Sequence, residues 1–309
     1  MSSKIELFEA AQKVYVKDMF SNLGSGMRHN EVNNIGTFSM PDNQYHALSE
    51  VYGKPMISQS GLKKFDESAE TWKANIPFNT SRAMVLGSLV DAAVLNPEGL
   101  GDYLFPEGKE ADGRTKEGKA MKIQAYKTGK DVVSPAEVTA ILGNIKKLSE
   151  DETCKEILAG SSTQIQMMDT RNDLGIRGMI DIIPSSTGRF GDGICDMKRT
   201  GQFLPAQWRK HVLNMKYHWQ AAFYLDMWND ICDLHGNEGE KRSKWYFLLC
   251  SSDAPYGCGV SQLSDEYIKR GREGYMNALM KFNQCVMTGE YKNPWATDGI
   301  QMVKAYGEE

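Results

Sequence analysis

Between Gly175 and Thr200 the chain reads as two apolar, β-branched runs separated by turn residues. Ile176, Ile180, Ile182, Ile183 and Ile194 favour strands, while Pro184-Ser-Ser-Thr-Gly188 and Gly191-Asp-Gly193 carry turn chemistry, so the segment predicts strand, turn, strand. Side chains alternate along a strand, which puts Asp196, Lys198 and Thr200 on one face and Cys195, Met197 and Arg199 on the other. A hairpin closing near 184–192 brings Asp181 beside Asp196. Downstream, Lys216 to Trp228 contains neither Gly nor Pro and sets Trp219, Ala222, Phe223, Met227 and Trp228 at helical spacing, predicting an amphipathic, largely buried helix. Upstream, Met56–Phe65 and Arg82–Pro97 predict two helices joined by a loop. Ser58 or Ser60 caps the first and Asn96-Pro97 ends the second. Ile5 to Phe20 predicts an N-terminal helix, followed by a loop-rich arm to about Tyr52.

Two carboxylates converging with a backbone carbonyl, that of Met197, make an oxygen-rich site suited to Mg²⁺ or Mn²⁺ rather than zinc. Lys198 is then the expected third partner, its ammonium orienting an attacking water and offsetting charge on a pentacovalent phosphate. A solvated strand face also reads Asp-x-Lys, and about one such tripeptide is expected by chance in a chain this long; the weight comes from Asp181 and the hairpin around it. Gln220 and Tyr224 are four apart and project from one face of their helix, either as packing residues or toward a common target such as a DNA phosphate or the lysine. Asp91 is embedded in Leu89-Val-Asp-Ala-Ala-Val-Leu95, where a carboxylate is costly unless paired or metal-bound, so it is a candidate third ligand or a structural acid.

The order of these motifs resembles a known family. Ser58-x-Ser60-x-Leu62, Gly87-Ser-Leu-Val-Asp91-Ala-Ala-Val-Leu-Asn-Pro-Glu98, Arg177-Gly-Met-Ile-Asp181, Asp196-Met-Lys198-Arg-Thr200 and Tyr217-His-Trp-Gln220-Ala-Ala-Phe-Tyr224 look like the RecE, or exodeoxyribonuclease VIII, type of phage recombination exonuclease. The likeness runs from about Gly53 to the end, through Gly129–Glu137 and Tyr291–Trp295. It implies the α/β PD-(D/E)XK nuclease fold, a central mixed sheet flanked by helices, with residues 53–309 as the catalytic domain and 1–52 as an extension. Within it, Asp181 and Asp196 match the metal-binding acids, Lys198 the catalytic lysine, and Gln220 with Tyr224 the helix motif that holds active site and substrate. The family usually has histidine where this chain has Asp91; an acid there is similar to the viral 5′-to-3′ exonucleases of lambda type. The resemblance implies a Mg²⁺-dependent exonuclease that digests the 5′ strand from double-stranded DNA ends and leaves 3′ tails. It also implies a trimeric or tetrameric ring and a single-strand annealing partner of RecT or Bet type.

Composition narrows the picture further. The 309 residues carry a formal net charge of −4, so DNA binding calls for a local basic track rather than a basic coat. Candidates are Lys63, Lys64, Arg82, Lys109, Arg114, Lys116, Lys119, Lys122, Arg199, Arg209, Lys210 and Lys216, though lysine clusters are often solvated faces, and Glu107–Lys122 reads as an exposed, mobile loop. Arg82 is preferred for a phosphate because it begins the Asp91 helix after Asn79-Thr-Ser81, and Ser60, Thr200 and Tyr217 complete the expected DNA contacts. Six cysteines without a Cys-x-x-Cys pair argue against a zinc knuckle or a four-cysteine iron–sulfur cluster. The absence of a leader or spanning apolar run predicts a cytoplasmic, phage- or prophage-encoded protein with reduced thiols and no membrane association. His211 and His218 flank the active-site helix, for packing or DNA contact. Two other readings stay open: a structure-specific or single-strand endonuclease on the same fold, and a non-catalytic DNA-binding protein.

Overall fold

In the computed structural model, the described residues are 35–292 apart from 52 and 77–79, with a few positions before 35. The strands are β1 (Arg28–His29), β2 (Gly36–Phe38), β3 (Glu50–Val51), β4 (Lys54–Ser58), β5 (Tyr103–Leu104), β6 (Asp131–Val132), β7 (Ser162–Arg171), β8 (Leu174–Ile183), β9 (Gly193–Thr200), β10 (Lys244–Ser251) and β11 (Cys258–Gln262). The helices are α1 (Asp42–Ala47), α2 (Gln59–Glu67), α3 (Ala69–Lys73), α4 (Arg82–Leu95) and α5 (Lys116–Thr128). They continue with α6 (Pro135–Glu150), α7 (Glu152–Leu158), α8 (Pro205–Asn214), α9 (Tyr217–Leu234) and α10 (Asp265–Thr288).

The main sheet runs β1-β2-β7-β8-β9-β10-β11, with β4 also on β8 and β3 on β4. It is mixed: β7–β8 and β10–β11 are antiparallel, whereas β9–β10 and β4–β8 are parallel. The parallel β9–β10 pair needs a long crossover, and α8 and α9 supply it. The strand side chains divide between two cores, and β8 changes sides between Ile180 and Ile182, where its ladder skips Asp181. Ile182, Cys195, Met197, Tyr246, Leu248 and Cys250 pack with residues of α4, α6 and α7. Ile165, Ile180, Ile194, Trp245 and Phe247 pack with α2, α8, α9 and α10. This is the expected mixed sheet between helical layers.

The predicted hairpin is present as β8 and β9. Its turn is held by Gly188 N donating to Ser185 O and Gly191 N to Gly188 O, both at 3.0 Å. The Arg82 helix starts and stops as its sequence predicts, with Ser81 Oγ accepting from Met84 N at 3.3 Å and Asn96 before Pro97 at its end. Two expectations need correction. Met56–Ser58 are not the first turn of a helix but the end of β4, pairing Ile57 with Ile176 of β8; Ser58 Oγ then caps α2 from outside, accepting from Gly61 N at 3.1 Å. Part of Glu107–Lys122 is helical rather than a loop, because Thr115 Oγ1 accepts from Gly118 N at 2.9 Å and starts α5, which Gly129 ends at φ 67°.

Residues ahead of the resemblance also contribute to the sheet: β2 pairs with β7, and the buried Tyr45 hydroxyl lies 2.6 Å from both Met167 O and Gly178 O. The predicted helix Ile5–Phe20 lies largely outside the described residues, as do Asn79 and the end of Tyr291–Trp295. Among the described residues no helix is long and apolar enough to cross a membrane.

Candidate active site

The site sits where the sheet forks. One edge of β8 is occupied along its length by β7, while the other is shared by β4 at residues 175–177 and by β9 at Ile182↔Cys195. The β7–β8 register also passes from Thr163↔Ile182 to Ile165↔Ile180, skipping the facing pair Gln164 and Asp181. Gln164 has φ 53°, a left-handed backbone that a non-glycine residue in a strand adopts at a cost. Asp181 therefore stands where ladder bonding lapses on both sides. Its Oδ2 accepts instead from Met197 N of β9 at 3.0 Å, bridging the fork.

Asp196 is 2% exposed. Gln220 Nε2, from α9, donates to its Oδ1 at 2.5 Å, and Lys198 Nζ forms an ion pair with Oδ2. The Asp196/Lys198 face predicted from alternation is thus realised, and Gln220 reaches it. Lys198 Nζ also lies 3.4 Å from Met197 O and 5.2 Å from the centroid of the Tyr217 ring. Burial opposes the Lys198 charge, but Asp196 and Asp181 outweigh it and raise the ammonium above its ordinary value. It stays protonated.

Asp91 approaches from α4. With Asp181, Ser88, Asn96, Asp102 and Gln164 it lines a recess of about 240 Å³. Burial, and then Asp196, push the Asp91 carboxyl up to about 7, with Lys198 pulling the other way. Asp181 is raised well above the ordinary carboxylate range by burial, by Asp196 and by Asp91. Asp91 and Asp181 thus line one recess, with Asp196 and Lys198 near enough to shift both. A divalent cation would supply positive charge here, and the all-oxygen donor set fits a hard ion.

Tyr224 lies one turn from Gln220 and packs flat against β8 at Gly178, where a Cβ would come within 2.6 Å of its Cε1. Burial raises its phenol, and Asp196 and Asp181 add to the shift. Tyr217 packs among Trp208, His211 and Phe247, with Lys63 Nζ 5.8 Å from its ring centroid. Lys63 is lowered by burial, Glu67 opposing, and by Lys198 and Lys216. Lys198 and Lys216 thus lie near enough to Lys63 to disfavour its charge, and Lys216 Nζ is held at 2.6 Å from Asp66 Oδ2. The remaining expected DNA contacts stand elsewhere or are engaged. Arg82 donates through Nε to Glu137 Oε1 at 2.7 Å and through Nη2 to Val132 O at 2.8 Å, pulling the Glu137 carboxyl down to about 2. Thr200 is buried and accepts from Gln202 N at 2.9 Å; Ser60 is exposed, 3.1 Å from Ser58 Oγ. His218 is buried and His211 packs against Trp208. Sequence reasoning missed Gln164 and Asp102, which line the recess with Asp91 and Asp181, and the close seat that Gly178 makes for Tyr224.

The mixed sheet between helical layers, with Asp181, Asp196 and Lys198 on adjacent strands, is the architecture of the PD-(D/E)XK nuclease superfamily. The chain belongs to the family described as PDDEXK-like domain of unknown function (DUF3799), whose family model matches residues 58–305. It is similar in fold to a protein from Eubacterium rectale whose crystal structure is named "Putative exonuclease", with 17% sequence identity and a TM-score of 0.55 over 87% of this chain and 96% of that one. No curated protein matches the sequence significantly.

Proposed function

We propose that this chain is a divalent-metal-dependent DNA nuclease, and specifically a 5′-to-3′ double-strand exonuclease of RecE type that leaves 3′ single-stranded tails. The observation that carries the hydrolytic part is geometric: Asp196 pairs with Lys198, Asp181 reaches across to Met197 N on the same strand as that pair, and Asp91 lines one recess with Asp181. Asp91, Asp181, Asp196 and the Met197 carbonyl are the groups that would hold Mg²⁺, or Mn²⁺ in its place. When bound, the cation supplies Lewis acidity and lowers the pKa of water. The protein's own residues do the rest. Lys198, charged and held by Asp196, offers its ammonium to the attacking water and to the charge that develops on the phosphate oxygens. Gln220 fixes the orientation of Asp196 through Oδ1, leaving its other oxygen toward the lysine. Lys63 sets positive charge beside the site, where a phosphate backbone would approach.

Direction, processivity, a trimeric or tetrameric ring, a RecT- or Bet-type annealing partner, a phage or prophage origin, action in the bacterial cytoplasm, and a catalytic unit of residues 53–309 all rest on the motif resemblance. The test is digestion of duplex DNA in Mg²⁺ or Mn²⁺: linear DNA labelled at the 5′ or 3′ end, beside closed circular DNA. Early release of the 5′ label with the circle intact is expected. Linearisation of the circle would favour an endonuclease on the same fold, and no cleavage of either substrate in either metal would leave a non-catalytic DNA-binding protein.

A further inference from the structure

Away from the carboxylate centre, Asp151, Cys154 and Cys258 bring a carboxylate and two thiols together, with one ligand atom from each lying within 4.8 Å of the others. Asp151 is the bend between α6 and α7, and its Oδ1 accepts from Cys154 N at 2.8 Å, one turn into α7. Cys154 is fully buried. Cys258 opens the edge strand β11, opposite Cys250 of β10, and is half-buried. The two sulfurs are 104 residues apart in sequence, so no spacing rule brings them together, yet Cys154 Sγ stands 3.6 Å from Cys258 Sγ.

That separation, with the Asp151 carboxylate beside both sulfurs, suits a shared metal. Two thiolates on a tetrahedral zinc at about 2.3 Å each are about 3.8 Å apart, whereas a disulfide requires about 2.05 Å. At 3.6 Å the two thiols are in S–H···S contact, close to the spacing two thiolates take on one zinc, and would have to close by more than an ångström to bond to each other. We propose that Asp151, Cys154 and Cys258 form a site for a thiophilic divalent cation of the Zn²⁺ class, separate from the hard-ion catalytic centre. Solvent takes the fourth position on the half-buried Cys258 side. Binding releases two protons, one from each thiol, as two metal–sulfur bonds form with no change in oxidation state. Two thiolates and a carboxylate leave the complex with one surplus negative charge, while Lys147 and Glu150 act on Cys258 in opposite directions.

The site would join three elements at one point: the α6–α7 bend, α7 and the outermost strand of the sheet. Helix α6 packs against α4, which carries Asp91, so the cation would brace the layer behind the catalytic recess. It would also fix an edge strand by its first residue.

Cobalt is the probe, because thiolate ligation gives Co²⁺ an intense charge-transfer absorption that ligation by oxygen alone does not. Reduced, chelator-treated full-length protein is titrated with Co²⁺ and then with Zn²⁺. The expected result is a saturable thiolate-to-cobalt band at one equivalent, displaced by Zn²⁺ and accompanied by a higher Tm. Cys258→Ala, at a half-buried position, is expected to lose both the band and the zinc-induced Tm rise. Asp196→Ala is expected to keep the band, which separates this site from the catalytic one. Absence of the band while Ellman's reagent counts all six thiols after unfolding, persistence of the band in Cys258→Ala, or recovery of the pair only as a disulfide would each overturn the proposal.

Discussion

Lys198→Ala separates the chemistry of the site from its assembly. The ammonium is held by Asp196, with side-chain exposures of 20% and 3%, so the pair is largely removed from bulk water. Deleting one preorganised stabiliser of developing charge costs about 10²- to 10³-fold in rate, or about 2.7–4 kcal/mol. Deleting one partner of a buried ion pair also leaves the other uncompensated, at about 3–5 kcal/mol of stability. That second figure is an upper bound, because one-fifth of the lysine side chain is solvent-exposed and Gln220 Nε2 still donates to Asp196. A bound divalent cation restores the missing positive charge. The variant is therefore expected to melt several degrees below wild type in chelator, to recover much of that difference in Mg²⁺, and to bind Mg²⁺ at least as tightly by calorimetry. Its single-turnover rate on duplex DNA at saturating Mg²⁺ is expected to fall by about a hundredfold or more. A rate within a few-fold of wild type, or a defect abolished simply by raising Mg²⁺, would refute the assignment of the ammonium to the chemical step.

Further expectations concern the groups around it. Asp91→Ala is expected to weaken Mg²⁺ binding and activity, and Asp91→His to restore part of the activity with a shift toward Mn²⁺, since imidazole is the softer ligand; full activity with unchanged metal dependence in Asp91→Ala would remove the residue from the site. Asp91 also makes a pH prediction: its folded carboxyl is held up at about 7 by burial and Asp196, against about 3.9 unfolded. The folded chain binds that proton more tightly, so this contribution to metal-free stability is present below about pH 4 and is lost as pH rises toward 7. Wild-type Tm in chelator is thus expected to fall more steeply than that of Asp91→Asn between pH 5 and pH 7, and equal slopes would contradict the burial argument. Gly178→Ala would place a methyl 2.6 Å from Tyr224 Cε1; overpacking of this kind costs about 1–3 kcal/mol, read as a Tm drop of a few degrees, and an unchanged Tm would show that the ring is not wedged there.

The residues that were legible in sequence are those whose local pattern and tertiary role agree. The β8–β9 hairpin declares itself because β-branched runs are parted by turn residues, and alternation alone puts Asp196 and Lys198 together. Helix α9 is equally plain, so the four-residue spacing of Gln220 and Tyr224 carries over directly to the fold. Other features depend on partners far along the chain. Met56-Ile57-Ser58 is a strand because β8 offers an edge, which nothing local reports. Arg82 stands at a helix start, where a phosphate contact is plausible from sequence, yet its guanidinium is engaged by Glu137, 55 residues later. Gln164 reads as an ordinary polar strand residue until its φ of 53° is seen. Cys154 and Cys258 meet only because the outermost strand folds back beside α7.

The central claim, that Asp181, Asp196 and Lys198 at the fork of β8 and β9 form a metal-dependent nuclease centre, is tested most directly by comparing wild type with Asp196→Asn. Both are incubated with linear duplex DNA in Mg²⁺ and in Mn²⁺, at equal concentration and after matched melting curves establish that both are folded. Wild type is expected to release nucleotides only when the divalent cation is present, and Asp196→Asn to bind the DNA but release almost none. Turnover by Asp196→Asn at the wild-type rate would contradict the account.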